Sequence, residues 1–583
     1  MSRARILIAG LIGAYLTLTL LDRFKLIELL VIRTGLPLLL ACIEAIAIIG
    51  CGFALRSRRW TELDPVLDFL IGYPLFGAVC FLTGTLSVTK WTMLALLLAG
   101  ALFGAFALAR WIETGSAQQA ADSRSSIDRF DSYALVCLGL VLFCALLFVQ
   151  APPFSLDELA YHLAVPKSWV LEGRAIDLPL LSHSYFPLGI ESADLPLLTL
   201  LGDDGALASH VLHLFAAIAA TLLIHRKTKN LLLTAAIATT PALAITAGWS
   251  LVDWPLTGIA AALWIALDEG DDSAASAAIA AGLLTKYTFI PIAGIALLAS
   301  RRWRPALVGA AAGSVFFVRN LILTGNPLAP FFSGGAPSVS HYRGAAFLSD
   351  YVFDTRFIDE SLGASLLALA PFAAGAIPIA LALAGVALFF LAPSSRLLVP
   401  FFTIPAMSAE PAVRSRAWLR WMLAIAIAAQ TLLVFFLTDR SAPFSVLMAE
   451  SEQSFLTKQR ASFASISWLN RVLPASSRTL VIGTGESFWF SRRVRAGGNF
   501  DSARISAYLE APTAEALREK LRRDGITHVA LITLTAPPTE VAQKIEERQT
   551  HLTPAAQKTL SMLLDHFTSS VTAHGDVTLF ELK

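Results

Sequence analysis

Residues 132–162 of the chain read SYALVCLGLVLFCALLFVQAPPFSLDELAYH. The first part, 132–150, is almost entirely apolar and has the length of about 20 residues that an α-helix needs to cross the hydrocarbon core of a membrane. Asp157 and Glu158 follow this run within a few residues. Carboxylates at a bilayer edge are costly to keep out of water and usually have a functional role. A structural explanation stays open, because acidic residues at a helix start also stabilise the helix dipole.

The composition of the whole chain is that of a polytopic α-helical membrane protein. Of its 583 residues, 56% are hydrophobic and 15% are charged, whereas soluble domains carry about 25% charged residues. The formal net charge is +2, and the basic residues are scattered in short loops, which does not indicate nucleic-acid binding. We expect about 11–13 membrane spans. Hydropathy places them near residues 6–21, 36–55, 66–86, 91–112, 132–150, 206–224, 231–249, 252–267, 274–300, 305–323, 361–392, 397–409 and 417–438.

The basic residues of the short loops predict how these spans are oriented, because such loops stay in the cytoplasm. With six basic clusters in the cytoplasm, the loops 151–205 and 325–360 and the C-terminal part lie outside. This arrangement requires the runs 274–300 and 361–392 to be broken into two halves, near 285–287 and 371–378. It also places Arg23, Lys25 and Arg33 outside, although basic residues of short loops usually stay in the cytoplasm. The simpler alternative is that one of the six basic clusters is not cytoplasmic. The clusters lie at residues 3–5, 56–59, 110–129, 226–229, 301–304 and 414–420.

The chain changes character after about residue 440. The last part is charged and contains short β-like runs at 479–482, 528–532 and 577–580. Helical patterns lie between them, at 514–523, 539–548 and 554–566. Strands that alternate with helices indicate a small α/β domain. We therefore predict additional N-terminal helices over 1–112, a membrane core over 113–440 and an extracytoplasmic α/β domain over 441–583.

Acidic and aromatic side chains mark two external segments. In the first, Asp157, Glu158, Tyr161 and His162 form two pairs at helical i,i+4 spacing on adjoining faces, and Glu191 ends a turn broken by Pro and Gly farther along the loop. Loops on a rigid scaffold are where catalytic and binding groups concentrate. In the second, Asp253 lies in the external turn 249–255. It is a candidate binding residue, with the alternative that it caps a helix opened by the following Trp-Pro.

Three cations are placed near the same external face by this topology: Lys286, Arg319 and Arg396. An unpaired cation in an apolar run is expensive, so each one snorkels to the interface, pairs or binds an anion. Cations that converge beside carboxylates suit a phosphate-bearing substrate, since Lys and Arg form charge-assisted hydrogen bonds with phosphate oxygens.

Six segments resemble the GT-C glycosyltransferases, the polytopic enzymes related to protein O-mannosyltransferases and to the lipid A aminoarabinose transferase. The chain departs from the family pattern in two respects. Four additional spans precede the core, and Leu397 replaces the Tyr of the family's last segment. The external α/β domain has counterparts in some members. In chain order the segments are 157–162 (DELAYH), 186–191 (FPLGIE), 252–255 (VDWP), 282–288 (GLLTKYT), 319–331 (RN, TGNP and PF) and 395–400 (SRLLVP).

The resemblance implies transfer of a sugar from a polyprenyl-phosphate donor to an acceptor hydroxyl on the extracytoplasmic face of a bacterial inner membrane. Asp157 would be the general base, with Glu158 and Asp253 orienting a substrate or tuning Asp157. Lys286, Arg319 and Arg396 would hold the lipid phosphate. The chemistry requires no cofactor, although it is compatible with a divalent metal ion, and no metal-ligand spacing is visible.

The sequence leaves the sugar open, and the acceptor could be a glycan, a lipid or a protein. A transporter or flippase of lipid-linked saccharides is the alternative function, although such proteins place polar sites near the bilayer midplane, often in paired repeats. A non-catalytic scaffold that displays the outer domain is a third interpretation.

Overall fold

A computed structural model gives the architecture of the protein. It describes residues 35–55, 65–115, 129–332, 361–391, 395–441, 450–498, 501–533 and 552–583. The predicted span at 6–21, most of the predicted loop 325–360 and the predicted helix 539–548 lie outside the described residues. Everything below refers to the described part of the chain.

A bundle of apolar helices makes up the larger part of the molecule. Its helices are α1 (Gly35–Leu55), α2 (Pro65–Leu86), α3 (Lys90–Gly115), α4 (Arg129–Gln150), α5 (Ala164–Glu172), α6 (Gly189–Leu201), α7 (Gly205–Thr228), α8 (Leu231–Ala238), α9 (Pro241–Thr246), α10 (Asp253–Glu269), α11 (Asp272–Thr285), α12 (Phe289–Ser300), α13 (Arg304–Ala312), α14 (Val315–Thr324), α15 (Ala364–Leu369), α16 (Ala376–Leu391), α17 (Ser395–Ser408), α18 (Glu410–Ser415) and α19 (Ala417–Arg440).

Six of the described helices are long and apolar enough to cross a membrane, and a seventh span is present if the pair α13 and α14, bent by 60°, counts as one. The six are α1 to α4, the joined helices α6 and α7, and α19. The protein is therefore a polytopic helical membrane protein. The higher number expected from hydropathy includes runs such as 231–249 and 397–409, which fold into helices of 6 to 14 residues.

The two predicted breaks are present. Residues 286–288 separate α11 from α12, and a short 3₁₀ turn followed by residues 373–375 separates α15 from α16. The predicted external loop 151–205, in contrast, is only partly a loop. Its last third forms the buried helix α6, which packs against α2 and α7.

The additional N-terminal helices pack against the rest of the bundle through glycines. A Cβ added to Gly72 of α2 would lie 1.9 Å from the Ile48 carbonyl oxygen of α1, and one added to Gly77 would lie 1.6 Å from the Gly189 carbonyl oxygen of α6. Only glycine allows backbones to approach this closely, as is common between membrane helices. The helices α1 to α3 are thus an integral layer beside the core.

The C-terminal part is an α/β domain, as the sequence predicts. Its five strands have the order β2-β1-β3-β5-β4, in which β2, β1 and β3 are parallel and β5 and β4 are antiparallel to their neighbours. A separate apolar core joins the sheet to its helices. The elements are α20 (Glu452–Gln459), α21 (Ser462–Val472), β1 (Arg478–Ile482), β2 (Arg493–Arg495), α22 (Ser502–Leu509), α23 (Ala514–Arg523), β3 (His528–Ile532), α24 (Pro554–His566), β4 (Thr568–His574) and β5 (Val577–Leu582).

This domain is docked on the segment 151–188 of the membrane part. The backbone N–H groups of Ser487 and Phe488 donate to the Leu159 carbonyl oxygen at 2.9 and 3.1 Å. Glu172 accepts hydrogen bonds from Arg478 and Arg495 of the strands β1 and β2. An apolar cluster that includes Phe154, Trp249 and Phe455 continues from the bundle into the domain. The docked domain and the membrane helices therefore hold this segment from both sides.

Candidate active site

The site begins where α4 ends. Pro152 and Pro153 stop the helix because proline lacks the N–H that continues it. Asp157 then precedes a single π-helical turn, Glu158–His162, which leads into α5. Such turns are rare and often occur at functional sites. The turn presents the side chains of the segment to helices that come from distant parts of the chain.

Arg396, at the start of α17, joins two carboxylates that are far apart in sequence. Its Nη2 donates to Asp157 Oδ2 at 2.9 Å, and its Nε lies 3.5 Å from Asp253 Oδ1. The side chains of Arg396 and Asp253 are 8% and 6% exposed, whereas that of Asp157 is 32% exposed. Asp253 is the first residue of α10 and makes this ion pair instead of capping the helix. The site therefore consists of a buried ion pair between Arg396 and Asp253 and, next to it, the accessible carboxylate of Asp157.

Lys286 is the second cation of the site. It directly follows α11 with an extended backbone and is half-buried. Its charge acts on Asp157, His183 and Glu191, which places its ammonium group in their neighbourhood. Among the described residues, Lys286 makes no ion pair or side-chain hydrogen bond. Its charge thus acts on these carboxylates without being neutralised by any one of them.

The charges around Asp157 determine its protonation. Burial alone would raise the pKa of Asp157, but the positive charges of Arg396, His183 and Lys286 oppose burial and bring that pKa below its ordinary value. Asp157 is therefore ionised at neutral pH. While Arg396 is bound to it, however, the carboxylate is a weak base.

Glu158 has a different position from the one expected of a catalytic residue. Its side chain is fully buried, and its Oε1 accepts from the Ser250 N–H at 2.8 Å and lies 2.8 Å from His210 Nε2. Its Oε2 accepts from the Ser155 N–H at 3.3 Å. Successive helical residues point about 100° apart, so adjacent acids face different surroundings. The contacts of Glu158 anchor the π-helical turn to α7 and to the segment before α10, and its predicted role in orienting a substrate or tuning Asp157 stays a prediction.

Tyr161, His162 and Glu191 line the interior side of the turn. His162 Nδ1 and Glu191 Oε1 form a hydrogen bond of 2.7 Å, and both side chains are buried. Burial, together with the charges of Lys286 and Arg396, holds the pKa of His162 well below its ordinary value, so its ring is neutral. The Tyr161 ring stacks on that of His183 with centroids 4.5 Å apart. These three residues surround the charged cluster, and the structure does not assign them a substrate contact.

Arg319 contacts the turn Ser182–Tyr185 and aromatic rings. Its Nη1 donates to the Ser184 carbonyl oxygen at 2.6 Å, and its guanidinium lies over the rings of Phe81 and Tyr185. The neighbouring Asn320 donates to the Tyr185 carbonyl oxygen at 2.6 Å. These contacts hold the turn Ser182–Tyr185, and phosphate binding by Arg319 stays a prediction. A snorkelling cation beside an aromatic cluster finds such partners readily.

Sequence reasoning missed His183 and Asp501. His183 lies in the turn Ser182–Tyr185, and its charge acts on Asp157. Asp501, from the C-terminal domain, accepts from the Ser182 N–H at 3.0 Å. His183 lies three residues before the segment 186–191, so its polar character beside that segment was a usable signal. No local pattern marks Asp501, because more than 300 residues separate it from its partner.

The described residues include no group of three or more His, Cys, Asp or Glu side chains that could hold a metal ion. What the cluster can do follows from its charges. Two carboxylates and two cations are placed so that an incoming anion can pair with Arg396 or Lys286, while Asp157 remains accessible to accept a proton.

Comparisons with known proteins give a distant likeness. No protein-family model matches the sequence, and no curated protein sequence matches it. Among solved structures, the chain is similar to the crystal structure of ArnT from Cupriavidus metallidurans bound to undecaprenyl phosphate, with 12% sequence identity and a TM-score of 0.42. The match covers 77% of this chain and 97% of that chain. At this identity and TM-score, the roles of residues in that protein do not transfer to this chain.

Proposed function

We propose that the protein is an integral-membrane glycosyltransferase that moves a sugar from a polyprenyl-phosphate donor to an acceptor hydroxyl on the extracytoplasmic face. The observation that carries the proposal is the convergence of Asp157, Asp253 and Arg396 in one cluster, on which the charge of Lys286 also acts. Carboxylates for proton transfer and cations for a phosphate leaving group are the two requirements of this reaction.

In the proposed reaction, Asp157 accepts the proton of the acceptor hydroxyl while that oxygen attacks the anomeric carbon. The bond between this carbon and the phosphate oxygen breaks, and its electron pair goes to the phosphate. Arg396 and Lys286 stabilise the negative charge that develops there. A single displacement inverts the configuration at the anomeric carbon. Asp253 keeps Arg396 in place through their contact of 3.5 Å.

The ion pair between Asp157 and Arg396 gives the site a resting state. An arriving phosphate competes with Asp157 for Arg396, since phosphate accepts several charge-assisted hydrogen bonds from a guanidinium. Once Arg396 turns to the phosphate, Asp157 loses its strongest opposing charge and becomes a better base. Donor binding therefore activates the base, which limits proton transfer to the occupied site.

The orientation is supported by the course of α7. Glu158 contacts this helix at His210, near its first turns, and the opposite end carries His225, Arg226 and Lys227. Basic ends of this kind stay in the cytoplasm. The site then faces the other side of the membrane, as does the docked C-terminal domain.

The central test is the substitution Asp157→Asn in the full chain, assayed with a set of radiolabelled polyprenyl-phosphate sugars in the protein's native membranes. We expect loss of transfer by roughly 10²- to 10⁴-fold, the contribution of a general base. Asp204→Asn changes an exposed carboxylate near the same segment and serves as the matched control, with activity retained. Full turnover in a correctly inserted Asp157→Asn variant would refute the proposal.

One feature favours the alternative function, transport of a lipid-linked saccharide. Glu44, Glu191 and Asp194 are buried inside candidate spans, and neither Glu44 oxygen has a hydrogen-bond partner within the described residues. Transporters place ionisable groups at such depth. Movement of a fluorescent polyprenyl-phosphate sugar across proteoliposomes, without any transfer to an acceptor, would select this alternative.

A further inference from the structure

The turn Ser182–Tyr185 is held by both parts of the molecule. From the membrane side, Arg319 and Asn320 donate to the carbonyl oxygens of Ser184 and Tyr185. From the C-terminal domain, Asp501 Oδ2 accepts from the Ser182 N–H at 3.0 Å. The turn carries His183, so the docking of the C-terminal domain fixes the backbone beside this imidazole.

Asp501 is built into a defined position. It is 1% exposed, and its Oδ2 also accepts from the Gly498 N–H at 2.7 Å. Its other oxygen, Oδ1, is buried with no hydrogen-bond partner within the described part of the chain. A Cβ added to Gly498 would lie 3.0 Å from Asp501 Oδ2 and 3.6 Å from His183 Nδ1. The carboxylate and the imidazole therefore occupy the same small space in front of Gly498.

The His183 ring connects this carboxylate to the cluster around Asp157. One face stacks on Tyr161, and the Phe186 ring lies 4.9 Å away. Burial lowers the pKa of His183, Asp501 and Asp157 oppose this, and Lys286 and Arg504 add to it. A carboxylate and a cation from each of the two domains therefore act on His183.

We propose that His183 and Asp501 are positioning residues for Asp157, so that the catalytic site is complete only when the C-terminal domain is docked. Asp501 holds the backbone of the turn that carries the imidazole, and the imidazole in turn influences the basicity of the Asp157 carboxylate. This inference rests on the proposed function, and it gives the C-terminal domain a part in that reaction.

The first experiment measures the pH dependence of the chemical modification of His183 and needs no substrate. Purified full-length protein in detergent is treated with diethyl pyrocarbonate over a range of pH, and mass spectrometry follows modification of His183, which reacts only when its ring is neutral. Asp501→Asn should move the midpoint to lower pH by about one unit, the effect of removing a nearby opposite charge. Asp565→Asn, at an exposed carboxylate of the same domain, should leave the midpoint unchanged.

The second experiment measures the rate of sugar transfer from the polyprenyl-phosphate sugar that the wild type uses. Asp501→Asn and His183→Asn should each lower transfer about tenfold or more and move the acid limb of its pH profile. Asp501→Glu should restore part of both. His183→Asn keeps the Asp501 carboxylate and its two backbone hydrogen bonds, so it remains informative if Asp501→Asn fails to fold.

The outcomes separate this inference from the proposed function. If Asp157→Asn retains turnover, the proposed function fails. If Asp157→Asn abolishes transfer while the Asp501 and His183 variants keep the wild-type rate, pH profile and modification midpoint, only the inference about the C-terminal domain fails. A variant that loses thermal stability in parallel with activity, without a change in pH profile or midpoint, would also overturn it.

Discussion

Arg396 is the residue on which the charges of the site depend. It binds Asp157 at 2.9 Å and lies 3.5 Å from Asp253, and it is nearly buried. A buried cation between two carboxylates is stable because each charge compensates the others, and removing one partner leaves an uncompensated charge. The same pairing lowers the pKa of Asp157 and so keeps its carboxyl group ionised.

Arg396→Gln should move the acid limb of the kcat/KM profile to higher pH. The base must be ionised to act, and Arg396 is the largest of the charges that lower the pKa of Asp157. Without Arg396, burial dominates and the pKa rises, so the active fraction falls at a higher pH than in the wild type. The measurement is kcat/KM against pH. Arg414→Gln, at a side chain 67% exposed, serves as the control, and an acid limb common to all three proteins would contradict the account.

The pairing of Asp157 and Asp253 with a cation could be predicted from sequence, because all three lie at apolar-run boundaries on one predicted face. The different surroundings of Asp157 and Glu158 could not. Which of two adjacent acids faces the opening depends on the π-helical turn, and no residue pattern specifies such a turn. The hydrogen bond from Arg319 to the Ser184 carbonyl oxygen likewise depends on tertiary packing.

At the scale of elements, glycine contacts set the positions of the helices around the site. Gly77 of α2 meets the backbone of Gly189, the first residue of α6. Glu191 lies two residues farther along α6 and pairs with His162. The additional N-terminal layer therefore supports the start of α6 and, through it, the interior side of the site.

Gly77→Ala should destabilise the bundle, because the new methyl group would meet the Gly189 carbonyl oxygen at 1.6 Å. Overpacking of this kind costs about 1–3 kcal/mol or more. Thermal unfolding of the detergent-solubilised protein, followed by tryptophan fluorescence, measures the loss. Gly139→Ala in α4 is the control, with nothing within 4 Å of the added Cβ, and its Tm should stay the same or rise slightly. Equal Tm values for both variants would contradict the packing.

Long apolar runs predicted the long helices, and the cytoplasmic placement of the basic clusters predicted the breaks near 286 and 373. Some shorter apolar runs were wrongly predicted to be membrane spans. Hydropathy indicates burial in an apolar environment, but it does not give the length of the helix that is buried. Helices such as α8 and α9 are as apolar as a span but lie inside the bundle, where neighbouring helices surround them. Their burial could be predicted, whereas their length required the three-dimensional packing.

At the scale of the molecule, the C-terminal domain and the membrane bundle share one continuous apolar cluster and a buried acid with two arginines. The sequence predicted the α/β class of this domain from its alternating pattern. It could not predict the docking, since the contacting residues of the two parts are separated by about 300 positions. The docking brings Asp501 to the turn that carries His183.

Glu172→Gln should loosen the docked domain. Glu172 is 7% exposed and pairs with Arg478 and Arg495, which are 24% and 14% exposed. Breaking a fully buried pair costs about 3–5 kcal/mol, and the partial exposure of these arginines reduces the expected loss to about 1–3 kcal/mol. Hydrogen exchange should increase in α5 and β2. Glu519→Gln, whose pair with Arg522 is exposed, should leave exchange unchanged, and unaltered exchange in Glu172→Gln as well would contradict the docking.

The claim that Arg396 exchanges Asp157 for a lipid phosphate can be observed directly. The measurement is a cryo-EM structure of the full chain in lipid nanodiscs, with and without undecaprenyl phosphate. We predict phosphate density in contact with Arg396 and Lys286, and separation of Asp157 from Arg396 relative to the free protein. Phosphate bound elsewhere, or bound while the Asp157–Arg396 ion pair stays intact on the cytoplasmic side, would contradict the account.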